Sequence, residues 1–97
     1  MKLRFTARAT ENLVEIAEFL HDRSPAAALS VRAAIFEGLQ NLLLFPHVGR
    51  PQKIEGVRKL VTRKYAYLIY YAVDEVAGEL VILNVKHPAR ERDHEDT

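Results

Sequence analysis

The stretch from residue 67 to residue 86, YLIYYAVDEVAGELVILNVK, decides the fold of this chain. Its first part, Tyr67 to Val73, is rich in aromatic and β-branched residues, and its last part, Leu80 to Val85, is almost continuous valine, isoleucine and leucine. Both compositions are typical of β-strands. Between them, Asp74 to Glu79 supplies the polar residues and the glycine of a turn. The stretch therefore predicts a β-hairpin.

Two further strands are predicted upstream of the hairpin. Val57 to Thr62 is a short run of apolar residues interrupted by two cations. At the start of the chain, Lys2 to Phe5 alternates charged and apolar residues, which is the period of a half-buried strand. In that strand we expect Leu3 and Phe5 to face inward.

Two helices are predicted between these strands. The hydroxyl of Thr6 can cap the first helix, and Ser24 followed by Pro25 is typical of the start of a second one. The second helix is predicted to run from Pro25 to Leu44, because Pro46 cannot continue it. In the first helix, apolar residues recur at helical spacing at Leu13, Ile16, Ala17 and Leu20.

The predicted element order is β-α-α-β-β-β, an α+β fold in which a helical hairpin covers one face of an antiparallel sheet. We expect one domain over residues 1–97, with a polar tail at about residues 91–97. The second helix has one broad apolar face, which is expected to cover the sheet on one side and to meet the first helix on the other. This face is formed by Leu29, Phe36, Leu39 and Leu43 and widened by Val31, Ile35 and Leu42.

Composition narrows the classes of function. The chain has 97 residues, of which 48% are hydrophobic and 28% charged, as in an ordinary globular protein. It has no cysteine, which excludes disulfides, thiolate nucleophiles and thiolate metal sites. The N-terminus lacks the pattern of a signal peptide, and no apolar run approaches the length of a membrane span. A cytoplasmic location is therefore predicted, without membrane association.

Charge is unevenly distributed along the chain. Residues 1–49 are neutral, residues 50–90 carry a net charge of +4, and residues 91–97 carry −3. The chain thus has a basic C-terminal half followed by an acidic tail. The whole-chain pI of about 8.1 is lower than that of a domain whose main ligand is nucleic acid, so direct nucleic-acid binding is not expected.

Four segments of the chain resemble landmarks of the RelE/ParE superfamily of bacterial toxins, in the same order. The long helical hairpin that precedes them favours the ParE branch. The resemblance implies a helical hairpin packed on a curved antiparallel sheet and covers nearly the whole chain. The segments are Phe45 to Arg50 (FPHVGR), Val57 to Val61 (VRKLV), Tyr67 to Tyr71 (YLIYY) and Val81 to His87 (VILNVKH).

The resemblance implies the toxin of a type II toxin-antitoxin system. Such a toxin is neutralised by direct binding of a small antitoxin, here ParD-like, in a hetero-oligomer. ParE-type toxins are described as poisoning DNA gyrase, which needs binding and no cofactor. RelE-type toxins instead cut messenger RNA on the ribosome, so a metal-independent endoribonuclease is the alternative activity.

A nuclease of that kind needs a base for the 2′-hydroxyl, an acid for the leaving oxygen and cations for the phosphate. Arg58, Arg63 and His87 are the candidates in this chain. Arg58 and its neighbour Lys59 must point to opposite faces of their strand, and the sequence leaves open which face is buried. The other histidines have no metal-ligand spacing, so no metal site is predicted.

For the antitoxin, we expect an amphipathic segment to lie on the outer apolar stripe of the helical hairpin. Its carboxylates would pair with a basic rim of the sheet, and the antitoxin-binding candidates are Arg50, Arg58, Arg63 and Tyr70. The candidates for binding the target lie at the C-terminus and are Lys86, His87, Arg90 and Arg92. The acids of the tail serve solubility in one interpretation and mimic an anionic partner in the other.

Overall fold

The computed structural model of the chain describes residues 1–89. It confirms the predicted α+β fold and adds one short strand in the connector after the second helix. The polar tail predicted at about residues 91–97 lies outside the described residues. The elements are β1 (Lys2–Phe5), α1 (Ala7–Arg23), α2 (Pro25–Leu44), β2 (Arg50–Pro51), β3 (Val57–Val61), β4 (Leu68–Asp74) and β5 (Glu79–Lys86).

The predicted hairpin of β4 and β5 lies in the middle of a five-stranded sheet with the order β1-β5-β4-β3-β2. Its neighbours β3 and β2 continue the antiparallel pairing. On the other side, β1 pairs with β5 in parallel, from Lys2 opposite Glu79 to Phe5 opposite Ile82. Parallel strands need a long connection between them. Here both helices and the strands β2 to β4 lie between β1 and β5 in the sequence.

Both helices begin as predicted. The Thr6 hydroxyl accepts a hydrogen bond from the backbone N–H of Ala9 at 3.1 Å, and the Ser24 hydroxyl accepts one from Ala27 at 3.2 Å. Pro25 occupies the first turn of α2, where a missing N–H costs nothing. These two caps fix the residues at which the helices begin.

The core lies between the helices and one face of the sheet. Ile69, Tyr71, Leu80 and Ile82 are completely buried on this face, which we call the helix-side face. The residues of α2 that pack against it are Val31, Ile35, Leu39 and Leu42.

One expectation about burial is wrong. Leu29 and Phe36 of α2 are 66% and 61% exposed, because they lie on the side of α2 that turns away from the sheet. Leu3 and Phe5 face inward as expected, since they pair with the core residues Leu80 and Ile82, although Phe5 keeps 37% of its surface exposed. Helical periodicity identified an apolar surface wider than the part that the sheet covers, and only the structure separates the two parts.

The register of β3 settles which of its side chains point toward the helices. Arg58 lies opposite Tyr71, and Leu60 lies opposite Ile69, so both belong to the helix-side face. Lys59 lies opposite Tyr70 and belongs to the other face. We call this second face the outer face; its residues on β3, β4 and β5 are Val57, Lys59, Val61, Leu68, Tyr70, Ala72, Asp74, Glu79, Val81, Asn84 and Lys86.

Among residues 1–89, no helix combines the length and the apolar character that crossing a membrane would require.

Candidate functional site

Tyr71 fixes the connector between α2 and β3. Its hydroxyl accepts a hydrogen bond from the backbone N–H of Gly49 at 2.9 Å and donates one to the carbonyl oxygen of Pro46 at 2.8 Å. Position 49 has to be glycine, because a Cβ atom there would lie 2.5 Å from the Tyr71 hydroxyl oxygen. The buried phenol therefore holds the connector at two points.

Arg58 holds the same connector from β3. Its Nη1 atom donates to the carbonyl oxygens of His47 at 3.0 Å and Gly49 at 2.8 Å. Burial raises the pKa of Tyr71, while the Gly49 hydrogen bond and the Arg58 charge act in the opposite direction. Three of the four landmark segments thus meet in one cluster, in which Arg58 is engaged with backbone carbonyls.

Arg63 follows β3 and joins the sheet to α2. Its Nε and Nη2 atoms donate to the two carboxylate oxygens of Glu37, each at 3.1 Å. The hydrogen bond from Arg63, followed by its charge, lowers the pKa of Glu37. The same hydrogen bond and the Glu37 charge raise the pKa of Arg63. Arg63 is thereby directed toward α2, on an exposed surface.

His87 lies just after β5, against Tyr67. The two rings meet edge to face with their centroids 5.4 Å apart, and the His87 Nδ1 atom accepts a hydrogen bond from the backbone N–H of Ala89 at 3.1 Å. Burial raises the pKa of Tyr67. His87 therefore lies at the end of the hairpin opposite to the connector that Arg58 holds.

The structure does not bring the three nuclease candidates together. Arg58 is paired with Tyr71, whereas His87 contacts Tyr67, which lies four residues before Tyr71 and just ahead of β4. At about 3.3 Å per residue, their positions are roughly 13 Å apart along the strand. Arg63 points toward Glu37 on α2. The described residues therefore place a base, an acid and a phosphate-binding cation in three separate environments.

A large apolar groove runs between α1 and α2 on the side away from the sheet. We call it the hairpin groove, and its volume is about 1050 Å³. Three apolar side chains of its lining are strongly exposed, with Val14 at 49%, Leu29 at 66% and Phe36 at 61%. Charged residues of both signs also line it, namely Glu18, Asp22 and Arg32.

The predicted antitoxin-binding residues do not form one patch. Arg50 is exposed on the edge strand β2, while Arg58 and Arg63 make the contacts described above. Tyr70 lies on the outer face, on the opposite side of the sheet from the helices. A single partner could reach the hairpin groove and Tyr70 only by passing around an edge of the sheet.

The predicted target-binding residues are described in part. Lys86 lies on the outer face, with its Nζ atom 5.5 Å from the centre of the Tyr70 ring. His87 follows it and is exposed. Arg90 and Arg92 lie outside the described residues.

Sequence reasoning did not single out Lys59 for this surface. Lys59 lies directly opposite Tyr70, so Lys59, Tyr70 and Lys86 belong to one face. Strand alternation separated Lys59 from Arg58 correctly, but only the pairing with β4 shows which of the two points away from the helices. No signal in the sequence fixes that register.

A sequence model of one family, described as the ParE toxin of the type II toxin-antitoxin system parDE, matches residues 3–92. A candidate toxin of Sinorhizobium fredii, Y4kP, is 34% identical over 86 residues, which cover 89% of this chain and 86% of Y4kP.

Solved structures with the same fold were also found. A structure of the chromosomal ParDE system of P. aeruginosa superposes with a TM-score of 0.75 and 26% identity, over 90% of this chain and 95% of that one. The RelBE2 complex of Mycobacterium tuberculosis gives a TM-score of 0.59 and 28% identity, over 91% of each chain. The RelBE complex of E. coli, at 18% identity and a TM-score of 0.65 over 88% of this chain and 93% of that one, shares the fold.

Proposed function

The chain belongs to the family of ParE toxins of type II toxin-antitoxin systems, and on that premise we propose that it inhibits growth by binding DNA gyrase in the cytoplasm. A ParD-like antitoxin neutralises it by direct binding, in a hetero-oligomer. The toxin acts by occupying its target and cleaves no substrate. Family membership is the premise, and the particular target and the particular antitoxin are the proposal.

One observation carries the preference for binding over cleavage, namely the separation of Arg58, Arg63 and His87. General acid-base catalysis needs its groups within hydrogen-bonding reach of the same reacting atoms. Arg58 is instead engaged with the carbonyls of the connector, and Arg63 with Glu37. Substitution of Arg58 would therefore remove two hydrogen bonds that hold the connector.

The hairpin groove is the surface proposed for the antitoxin. An amphipathic helix fits a groove of this type, because its apolar residues at helical spacing can cover Val14, Leu29 and Phe36 together. The volume of the groove, about 1050 Å³, is at the upper limit of the range for small-molecule sites. Arg50 on the exposed edge strand is the cation proposed to meet antitoxin carboxylates that continue beyond the groove.

The surface proposed for the target is the C-terminal end of the hairpin. Lys86 lies there on the outer face, and His87 follows it at the end of the hairpin, against Tyr67. Arg90 and Arg92, which follow in the sequence, are proposed to belong to the same surface. The hairpin groove is on the other side of the sheet, so antitoxin and target would use different surfaces.

Inducible expression of the chain without its antitoxin tests the proposed target. DNA-damage signalling and bulk translation are followed side by side from the moment of induction. An early damage response with translation intact is the expected result, because a poisoned gyrase leaves broken DNA. Abrupt arrest of translation with cut messages, lost in His87→Ala, would contradict the proposal in favour of an endoribonuclease.

A variant pair separates target binding from general surface charge. Lys86→Glu reverses a cation of the proposed target surface, and Lys53→Glu makes the same change on an exposed residue of the loop after β2. We expect the first variant to weaken growth inhibition and the second to retain it. Equal toxicity of both variants at matched protein levels would exclude Lys86 from the target surface.

A further inference from the structure

A line of exposed apolar side chains continues past the end of the hairpin groove. Phe36 lines the groove, and Leu44, eight residues later in α2, is 72% exposed. Eight residues are about two helical turns, so Leu44 lies on the same broad side of α2 as Phe36, about 12 Å further along the helix axis. Phe45 and Val48, which follow α2, are 60% and 57% exposed. We call Leu44, Phe45 and Val48 the connector patch.

A hydrogen-bonded turn brings the members of the connector patch together. The backbone N–H of Val48 donates to the carbonyl oxygen of Phe45 at 3.1 Å and closes a turn whose second residue is Pro46. The Cα atoms of the two end residues of such a turn lie within about 7 Å of each other. Leu44 precedes Phe45 directly, so the three apolar side chains belong to one small area of the surface.

The backbone beneath the patch is held in place before any partner binds. The Tyr71 hydroxyl is hydrogen-bonded to Pro46 and Gly49, as described above. Arg58 donates to the carbonyl oxygens of His47 and Gly49. A segment fixed in this way loses little conformational entropy when it is bound. Large apolar side chains that are exposed on a fixed backbone are a feature of binding surfaces.

Arg50 adds a positive charge beside the patch. It follows Val48 by two residues and lies exposed on β2, at the edge of the sheet. Among residues 1–89, no carboxylate forms an ion pair with Arg50, whereas His47 pairs with Glu75 at 3.2 Å between Nε2 and Oε1. The guanidinium of Arg50 is therefore available to a partner. The chemistry that fits this surface is a segment with apolar side chains and a carboxylate after them.

We propose that the antitoxin continues from the hairpin groove onto the connector patch, where its apolar side chains cover Leu44, Phe45 and Val48 and one of its carboxylates pairs with Arg50. A helix spans the distance from Phe36 to Leu44 with about eight residues, and an extended segment spans it with about four. This inference rests on the proposed antitoxin contact in the groove and adds a second contact to it. The two contacts together bind more tightly than the groove alone.

Methyl signals of the wild-type chain test the second contact without any substitution. The chain is labelled at its leucine and valine methyl groups by cell-free synthesis and titrated with the purified, unlabelled ParD-like protein encoded beside it. We expect the signals of Leu44 and Val48 in the patch to shift together with that of Leu29 in the groove. Val76 is fully exposed in the turn between β4 and β5, and its signal should not move.

Two matched pairs of variants measure what the patch contributes to affinity. Val48→Asp and Val76→Asp introduce the same charge at two exposed valines, and Arg50→Glu and Lys2→Glu reverse a cation at opposite edges of the sheet. By calorimetry, we expect Val48→Asp to raise the Kd for the antitoxin at least about tenfold and Arg50→Glu about threefold or more. Both control variants should change it by less than about twofold. Circular dichroism checks that every variant is folded.

Three results would overturn the inference. If Leu29 shifts while Leu44 and Val48 do not, or if Val48→Asp binds as tightly as Val76→Asp, the antitoxin ends at the groove and the proposed function stands. If the antitoxin does not bind at all, the proposed function loses its antitoxin and the inference fails with it. If Leu44 and Val48 shift when the chain alone is concentrated, the patch is a contact between two copies of this chain.

Discussion

The buried hydroxyl of Tyr71 makes two hydrogen bonds to the connector. We expect Tyr71→Phe to lower the free energy of unfolding by about 1 to 3 kcal/mol, because the buried N–H of Gly49 loses its acceptor and the carbonyl of Pro46 loses its donor. Chemical denaturation of the purified protein measures the change. Tyr65→Phe is the matched control, since Tyr65 is 52% exposed and its change should stay within about 0.5 kcal/mol.

The raised pKa of Tyr71 predicts how the stability of the protein changes at alkaline pH. Burial raises the pKa of Tyr71, and also that of Tyr67, above the value of 10.0 of a free tyrosine. The folded state therefore resists ionisation, so stability is complete below pH about 10 and falls as the pH rises from there through the higher folded value. Tyr71→Phe should lose less stability over that range than the wild type. An identical alkaline decline in both proteins would contradict this assignment.

Several candidate site residues could be named from the sequence, but their contacts could not. Arg58 was identified as a cation on a predicted strand, which fits catalysis, antitoxin binding or a structural contact equally well. Its hydrogen bonds to His47 and Gly49 depend on a connector that is brought to β3 by the fold. A contact between residues about ten positions apart, made by a flexible side chain, has no periodic signal in the sequence.

At the scale of elements, the turn between β3 and β4 is strained. Tyr65 and Ala66 have φ angles of +66° and +53°, in the left-handed region that favours glycine. Thr62 holds the turn, since its hydroxyl donates to the carbonyl of Lys64 at 2.7 Å and accepts from the N–H of Tyr67 at 2.9 Å. The fold thus keeps two non-glycine residues in a conformation that they rarely adopt.

Relief of this strain should stabilise the protein. We expect Ala66→Gly to raise the free energy of unfolding by up to about 1 kcal/mol, because glycine adopts a positive φ without a steric penalty. Ala33→Gly, at an exposed position in the middle of helix α2, should instead lower it by a similar amount. Thermal unfolding of the two variants and the wild type measures these changes in stability. A loss of stability in Ala66→Gly would show that the turn is not strained.

The hairpin groove allows the proposed antitoxin contact to be tested separately from toxicity. Phe36→Asp places a charge in the apolar lining, whereas Ser30→Asp makes the same change at an exposed position of α2 outside the groove. With the antitoxin co-expressed, we expect Phe36→Asp to restore growth inhibition, because the toxin is intact but no longer neutralised. Ser30→Asp should remain neutralised.

A result in which Phe36→Asp is neutralised as well as the wild type would place the antitoxin elsewhere on the molecule. Phe36 is 61% exposed and lies outside the buried core, so the substitution is not expected to unfold the chain. A circular dichroism spectrum that matches the wild type is the control for folding.

The elements themselves were largely predictable. Pro25 and Pro46 set the limits of α2, and the strands β3, β4 and β5 follow from short β-branched and aromatic runs. The parallel pairing of β1 with β5 and the two-residue strand β2 were not predicted. Both depend on which edges of the sheet the folded chain leaves open, and two residues are too few to show a period.

At the scale of the whole molecule, the chain presents two separate surfaces on either side of one sheet. The hairpin groove lies beyond the helices, and Lys59 and Lys86 lie on the outer face. Lys59 and Lys86 are two of the cations that give residues 50–90 a net charge of +4, whereas Arg58 and Arg63 of the same segment are engaged with the connector and with Glu37. The sequence predicted the charge of this segment but not how the fold divides its cations between surfaces.

Supercoiling of relaxed plasmid DNA by purified gyrase, titrated with the purified full-length chain, tests the proposed function most directly. We predict that the chain inhibits supercoiling at micromolar concentration, that Lys86→Glu inhibits less than Lys53→Glu, and that added antitoxin restores activity. Supercoiling that is unaffected by the folded wild-type chain at these concentrations would contradict the proposal that gyrase is its target.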